Sequence, residues 1–247
     1  MWSFLYSLAS PKWFYENTTW LQRPLLVCAI ALLLSGLFTG LFIAPADYQQ
    51  GDAFRIMYIH VPAAMLSMSL YALMGFLAIL TLVWRIKLAG ILLSSTAPIG
   101  ASMALIALVT GSIWGKPMWG TWWIWDARLT SELILLLIYL AIIATQSSTR
   151  NPTQADKLVA VLTLVGLVDL PIIHFSVYWW NTLHQGATLS LFSKPKIASS
   201  MLYPLFLMMV GFLTLSVYFI LDCARTKLIE RENKQQWVKH LYLGGNG

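Results

Sequence analysis

Long apolar runs alternate with short polar breaks along the chain. Six runs, roughly 25–43, 62–84, 92–113, 127–145, 158–178 and 200–222, are close to the ~20 apolar residues that cross a bilayer's hydrocarbon core. The pattern predicts an all-α membrane protein of six transmembrane helices. Pro62 falls in the first turn of the second run, where its missing N–H costs nothing. Pro171 falls inside the fifth and predicts a kink. No connecting segment is long enough to fold as a soluble domain, so residues 1–247 read as a single integral membrane domain. The first twenty residues are aromatic and broken by Pro11 and charges, unlike a cleaved signal peptide. They read as a segment lying on the membrane, with the first apolar run as an uncleaved anchor.

Charge adds direction. With the N-terminus in the cytoplasm, eleven of the 16 Lys and Arg residues face inward. The other five, Arg55, Lys116, Arg128, Lys194 and Lys196, face outward. The positive-inside rule therefore predicts that both termini are cytoplasmic. The net charge of +6 is then mostly a topology signal. It gives no reason to expect nucleic acid, because the basic residues are scattered and the C-terminal ones mix with Glu230 and Glu232.

Composition supports lipid as the solvent. The chain is 58% hydrophobic and 11% charged, with a mean hydropathy of +0.70, against about 25% charged in a soluble domain. Its two cysteines, Cys28 and Cys223, form neither C-x-x-C nor C-x-x-C-H. That excludes a zinc ribbon, a thioredoxin-like pair and covalent c-type haem attachment to this chain. Both cysteines fall towards the inner side, where no disulfide is expected. Without a G-x-x-x-x-G-K-[ST] loop the chain does not bind ATP through a P-loop.

The predicted outer segments, about 44–61, 114–126 and 179–199, hold the unusual chemistry. Five tryptophans, Trp114, Trp119, Trp122, Trp123 and Trp125, crowd into twelve residues of one periplasmic loop. Trp179 and Trp180 join them, and His60 and His184 flank the surface from the other two segments. Single tryptophans at a membrane interface need no explanation, but this density points to a platform for a flat ligand or a partner. Two histidines without a Cys, Asp or Glu cluster do not complete a zinc site. Two axial positions are what haem iron offers. Aromatic side chains suit a porphyrin's faces, and Arg55, Lys116 and Arg128 carry the right sign for its propionates.

Several residues keep two readings. Asp126 can cap the fourth helix or contact a ligand. Arg128, in that helix's first turn, opposes the helix dipole, so a propionate or Asp126 must offset it. Glu132, one turn on, predicts an i,i+4 ion pair with Arg128. Asp169 and His174 lie within the fifth run, where ionisable groups are functional candidates; hydrogen bonding beside the Pro171 kink is the expectation for both. His240 belongs to a solvated tail.

The segment WGKPMWGTWWIWDARLTSE resembles the tryptophan-rich WWD motif, here residues 114–128, of the haem-handling proteins of cytochrome c biogenesis. Its six-span haem-exporter branch is the nearer likeness. APADYQQG at 44–51, YIHVPAA at 58–64, APIGA at 97–101 and LPIIHFSVYWWNTLHQG at 170–186 carry the same resemblance. The resemblance implies that His60 and His184 are axial ligands to a non-covalent haem b. It implies that the five tryptophans, with Asp126 and Arg128, form its platform. It also implies an ABC-type ATPase subunit, a second permease subunit and a small single-span subunit as partners. The acceptor would be a membrane-anchored periplasmic haem chaperone, and the location the bacterial inner membrane. Two other classes stay open: a cytochrome b-like redox subunit, and a transporter with an aromatic gate and no haem.

Overall fold

A chain in lipid must satisfy its backbone polar groups internally, and helices are what these apolar runs form. The computed structural model describes residues 10–180, 182, 184 and 197–243. The expectations for Lys194 and Lys196, and for the residues before Ser10, lie outside that range. Helix α1 is Pro11–Thr19 and α2 is Gln22–Phe38, continued by a π turn at Thr39–Ile43. A 3-10 turn, Asp52–Ile56, runs into α3, Met57–Val83. Then follow α4 (Lys87–Trp119), α5 (Ala127–Ser148), α6 (Pro152–Gly166), α7 (Asp169–Trp179), α8 (Ser199–Arg231) and α9 (Gln236–Leu243). No strand occurs among the described residues, only an isolated bridge between Asp47 and Gly51. Six helical segments are long and apolar enough to cross a membrane.

Three boundaries differ from the apolar runs. Helix α3 starts upstream of His60, so Pro62 sits in its second turn rather than its first and leaves the Tyr58 carbonyl without its i+4 donor. Helix α4 continues to Trp119, so the first half of the expected tryptophan loop is helix. Pro117 withdraws one donor there without ending it. The stop is Gly120, at φ +76°, whose N–H bonds the Lys116 carbonyl at 3.1 Å. This is the left-handed cap that glycine adopts most readily. The fifth crossing breaks at Leu167 and Val168, because Pro171 has no N–H for the Leu167 carbonyl.

The core lies where α3, α4, α5 and α6 meet, around Tyr71, Met74, Leu93, Leu135, Tyr139 and Val159. The Tyr139 hydroxyl donates to the Ser67 carbonyl at 2.7 Å. Helix α8 packs along α2, with Met208 over Gly36 and Leu33 over Gly211. The end away from the 114–125 tryptophan segment is held by charge. Arg231 grips Asp156 with two bonds of 2.6 and 2.7 Å, Lys87 pairs with Glu232, and Arg225 donates to the Tyr15 carbonyl at 2.6 Å. Cys28 and Cys223 are free.

Gly100 of α4 lies against the Tyr139 ring so closely that a Cβ would strike it. Gly100→Ala should lower stability by about 1–3 kcal/mol, seen as a lower thermal midpoint of the detergent-solubilised chain. Ser102→Ala, on the exposed side of the same helix, should leave that midpoint unchanged.

Candidate functional site

The break at Gly120 positions the site. It ends α4 with Trp119 facing back over Gly115 and turns the chain toward Asp126, where α5 begins. Asp126 is extended and caps α5: its Oδ1 accepts the Leu129 N–H at 2.8 Å. Its Oδ2 takes a second task, accepting from His184 Nδ1 at 2.8 Å and from the Thr182 hydroxyl. Thr182 also accepts the His184 N–H at 3.1 Å. The Trp119 ring meets the His184 ring edge-on, centroids 4.7 Å apart. One carboxylate thus starts a helix and orients an imidazole, so the capping reading of Asp126 holds and a bond to His184 joins it.

Electrostatics at this pair favour a neutral ring. Burial lowers the His184 pKa; the hydrogen bond and charge of Asp126 oppose that, the Arg128 charge adds to it, and the value ends below the usual one. For Asp126, burial raises the pKa. Hydrogen bonds from Thr182, Leu129 and His184, with the His184 charge, outweigh it, so the value ends below the ordinary one. An ionised Asp126 makes Nδ1 the donor and leaves Nε2 of His184 as the lone-pair nitrogen.

His60 is set in the same manner by different groups. Its Nδ1 lies 3.0 Å from the Ala107 carbonyl and 3.1 Å from the Thr110 hydroxyl. The carbonyl can only accept, so Nδ1 carries the proton and Nε2 is again the lone-pair nitrogen. Gly111 makes room: a Cβ there would come within 3.0 Å of His60 Cε1. Trp114 meets the ring edge-on, with centroids 5.7 Å apart. Its indole N–H donates to Gln50 Oε1 at 2.9 Å, tying the 44–51 loop to the site. Among the described residues neither Nε2 has a hydrogen-bond partner. Helix α4 spaces the two halves, since Trp114 and Trp119 are five residues, or about 7.5 Å of rise, apart.

The tryptophans divide by task. Trp114 and Trp119 each touch one histidine. Trp123 packs edge-on against Trp125 at 5.4 Å, with its own indole N–H buried and without a partner among the described residues. Trp122 and Trp125 are 56% and 74% exposed. The cations divide too. Arg55 bonds Asp52 at 2.9 Å and also donates to the Gly40 carbonyl. Lys116 donates to the Gly120 carbonyl at 3.0 Å. Arg128 makes no hydrogen bond or ion pair among the described residues. The expected Arg128–Glu132 pair is absent, because buried Glu132 instead accepts the Ser67 hydroxyl at 2.7 Å, across to α3. His174 is exposed against Phe175, and neither it nor Asp169 makes the expected hydrogen bond among the described residues. No group of three or more His, Cys, Asp or Glu that could hold a metal occurs among the described residues. Thr110, Gly111, Gln50 and Thr182 escaped sequence reasoning. Only the spacing from Thr182 to His184 could have signalled one of them.

The profile of a family described as Heme exporter protein C matches residues 4–239. The chain is 48% identical to the Heme exporter protein C of Haemophilus influenzae, over 98% of both chains. It is 46% identical to that of Escherichia coli K12, again over 98% of both. Similarity to the Bradyrhizobium diazoefficiens protein of the same name is 45%, over 92% of this chain and 86% of the relative.

Asp126→Ala should cost about 0.5–2 kcal/mol through the lost cap, while Asp126→Asn keeps it; thermal unfolding near pH 7 separates them. Acid should weaken the site twice. The stability that depressed Asp126 contributes is full above the ordinary carboxylate range and falls away as pH drops through its lower folded value. Buried His184 must charge, so stability also falls as pH drops below its usual 6.5 toward its depressed folded value. His184→Gln should remove the upper part of that decline in a midpoint-versus-pH series.

Proposed function

Because the chain belongs to the Heme exporter protein C family, we propose that it binds haem b at the periplasmic face of the inner membrane and passes it on for cytochrome c biogenesis. The observation that carries this reading is the matched state of the two histidines. Each donates Nδ1–H to a fixed oxygen and keeps Nε2 unprotonated, as a neutral imidazole must to ligate iron. Donation of the second ring nitrogen to a carboxylate or carbonyl is also what orients a metal-binding histidine and raises its basicity. Two such nitrogens suit the axial positions of haem iron, and ligation at both leaves no open position for oxygen chemistry.

The surrounding residues supply the rest. Trp114 and Trp119 support the imidazoles and Trp123 adds aromatic wall. Arg128, unpaired among the described residues, is a cation that can meet a propionate, with Arg55 a second positive charge at the same end. Exposed Trp122 and Trp125 leave an apolar edge on which an acceptor can land. The acceptor in this reading is a membrane-anchored periplasmic haem chaperone. An ABC-type ATPase subunit, a second permease subunit and a small single-span subunit complete the assembly, and ATP is hydrolysed there rather than by this chain.

An absorption spectrum of the purified chain tests the reading. Haem supplied to the wild type should give a low-spin bis-histidine Soret band, and His60→Ala or His184→Ala should abolish that spectrum. Retention of it by both variants would remove the ligand assignment. Asp126→Asn should weaken haem binding about 10- to 100-fold, the usual effect of losing the partner that orients a metal ligand. Arg128→Ala should weaken haem retention more than Glu132→Gln; equal losses would exclude Arg128 as the propionate contact.

A further inference from the structure

The break in the fifth crossing leaves a feature that haem binding does not use. Asp169 is the first residue of α7 and only 7% exposed, yet its carboxyl accepts no hydrogen bond among the described residues, and its Oδ2 is fully buried. The hydroxyls of this region are engaged elsewhere. Tyr71, packed on Gly166, donates to the Thr163 carbonyl at 3.1 Å; Tyr139 donates to Ser67, and Ser67 to Glu132. Asp169 lines an open apolar groove of about 310 Å³ between α5 and the α6–α7 break, with Ile134, Ile138, Leu162, Val165 and Ile172.

Depth decides what can fill that groove. Ten residues of helix separate Asp169 from Trp179 at the site end, about 15 Å at 1.5 Å per residue, or half of a ~30 Å hydrocarbon core. Lipid headgroups and water do not reach there. A polar group at that depth finds partners only on another helix, and such side chains act as glue between membrane helices. A second copy docked groove to groove about a two-fold axis would bring acid against acid rather than a donor. We propose that the α5/α6–α7 groove is a docking surface for a membrane-spanning helix of a different polypeptide, which presents a hydrogen-bond donor or cation to Asp169 at mid-membrane depth.

Two measurements on the full-length chain test this. A photo-crosslinking amino acid at Ile134 or Val165, both lipid-accessible, should capture in native membranes a transmembrane peptide bearing a Ser, Thr, Asn, Gln, Lys or Arg. The same probe at Leu213 on α8 should not. Asp169→Leu should reduce the adduct about three- to thirty-fold, the range for one interhelical hydrogen bond, while Asp169→Asn should retain most of it. Adducts to lipid alone, to this chain's own peptides, or undiminished in Asp169→Leu would overturn the proposal. The second measurement uses the purified chain in detergent. With no partner to lose among the described residues, Asp169→Leu should match or exceed wild-type thermal stability. A lower midpoint would show an internal role for the carboxyl and would equally overturn it.

Discussion

The site depends on one carboxylate with two differently used oxygens. Asp126 Oδ1 closes the first turn of α5, and Oδ2 holds His184 and Thr182. The cap fixes the carboxyl relative to the helix axis, so the imidazole is registered against α5 itself. That matters because His184 stands outside any helix and has no packing register of its own. Arg128 then projects from the first turn of the same helix. The dipole disfavours a cation there, and among the described residues no anion bonds it, since Glu132 is turned toward Ser67.

Helix α4 is the second constraint. Ala107, Thr110 and Gly111 seat His60; Trp114 and Trp119 touch the two rings in turn; Gly120 ends the helix where the chain must reach Asp126. A helix rises a fixed amount per residue, so the two halves are held at a set spacing by a single rigid element. Its buried middle, locked by Gly100 against Tyr139, keeps that element from sliding. The charge pairs at the far end anchor α8 against α4 and α6 without entering the apolar interior.

Much of this was legible in the sequence for physical reasons. Hydropathy shows the six crossings because lipid demands unbroken apolar length. The WWD segment and its flanking histidines were visible because tryptophan is rare and two of the four histidines fall at one end. What escaped was mostly three-dimensional partner choice. Hydropathy reports lipid contact rather than hydrogen bonding, so it placed the end of α4 at 113 although the backbone ladder runs to Trp119. The i,i+4 rule describes an isolated helix surface, and it failed for Arg128 and Glu132 because Ser67 on α3 offers Glu132 a buried donor. Thr110 and Thr182 look like ordinary polar residues until a histidine nitrogen is beside them.

The same geometry bears on the conflict between holding a cargo and releasing it. A buried site with every group paired would bind tightly and open slowly. In the proposed function the two preorganised nitrogens favour capture, while the neighbouring surface is left unfinished among the described residues: Trp122 and Trp125 are exposed, the Trp123 N–H has no partner, and Arg128 has no paired anion. Trp122 and Trp125 face outward, so covering them requires something brought from outside. Preorganisation belongs to the imidazoles and incompleteness to the exposed tryptophans and Arg128. That division suits a protein whose cargo must leave toward an acceptor, and it separates this end of the molecule from Asp169, where the unpartnered group faces a neighbour within the membrane.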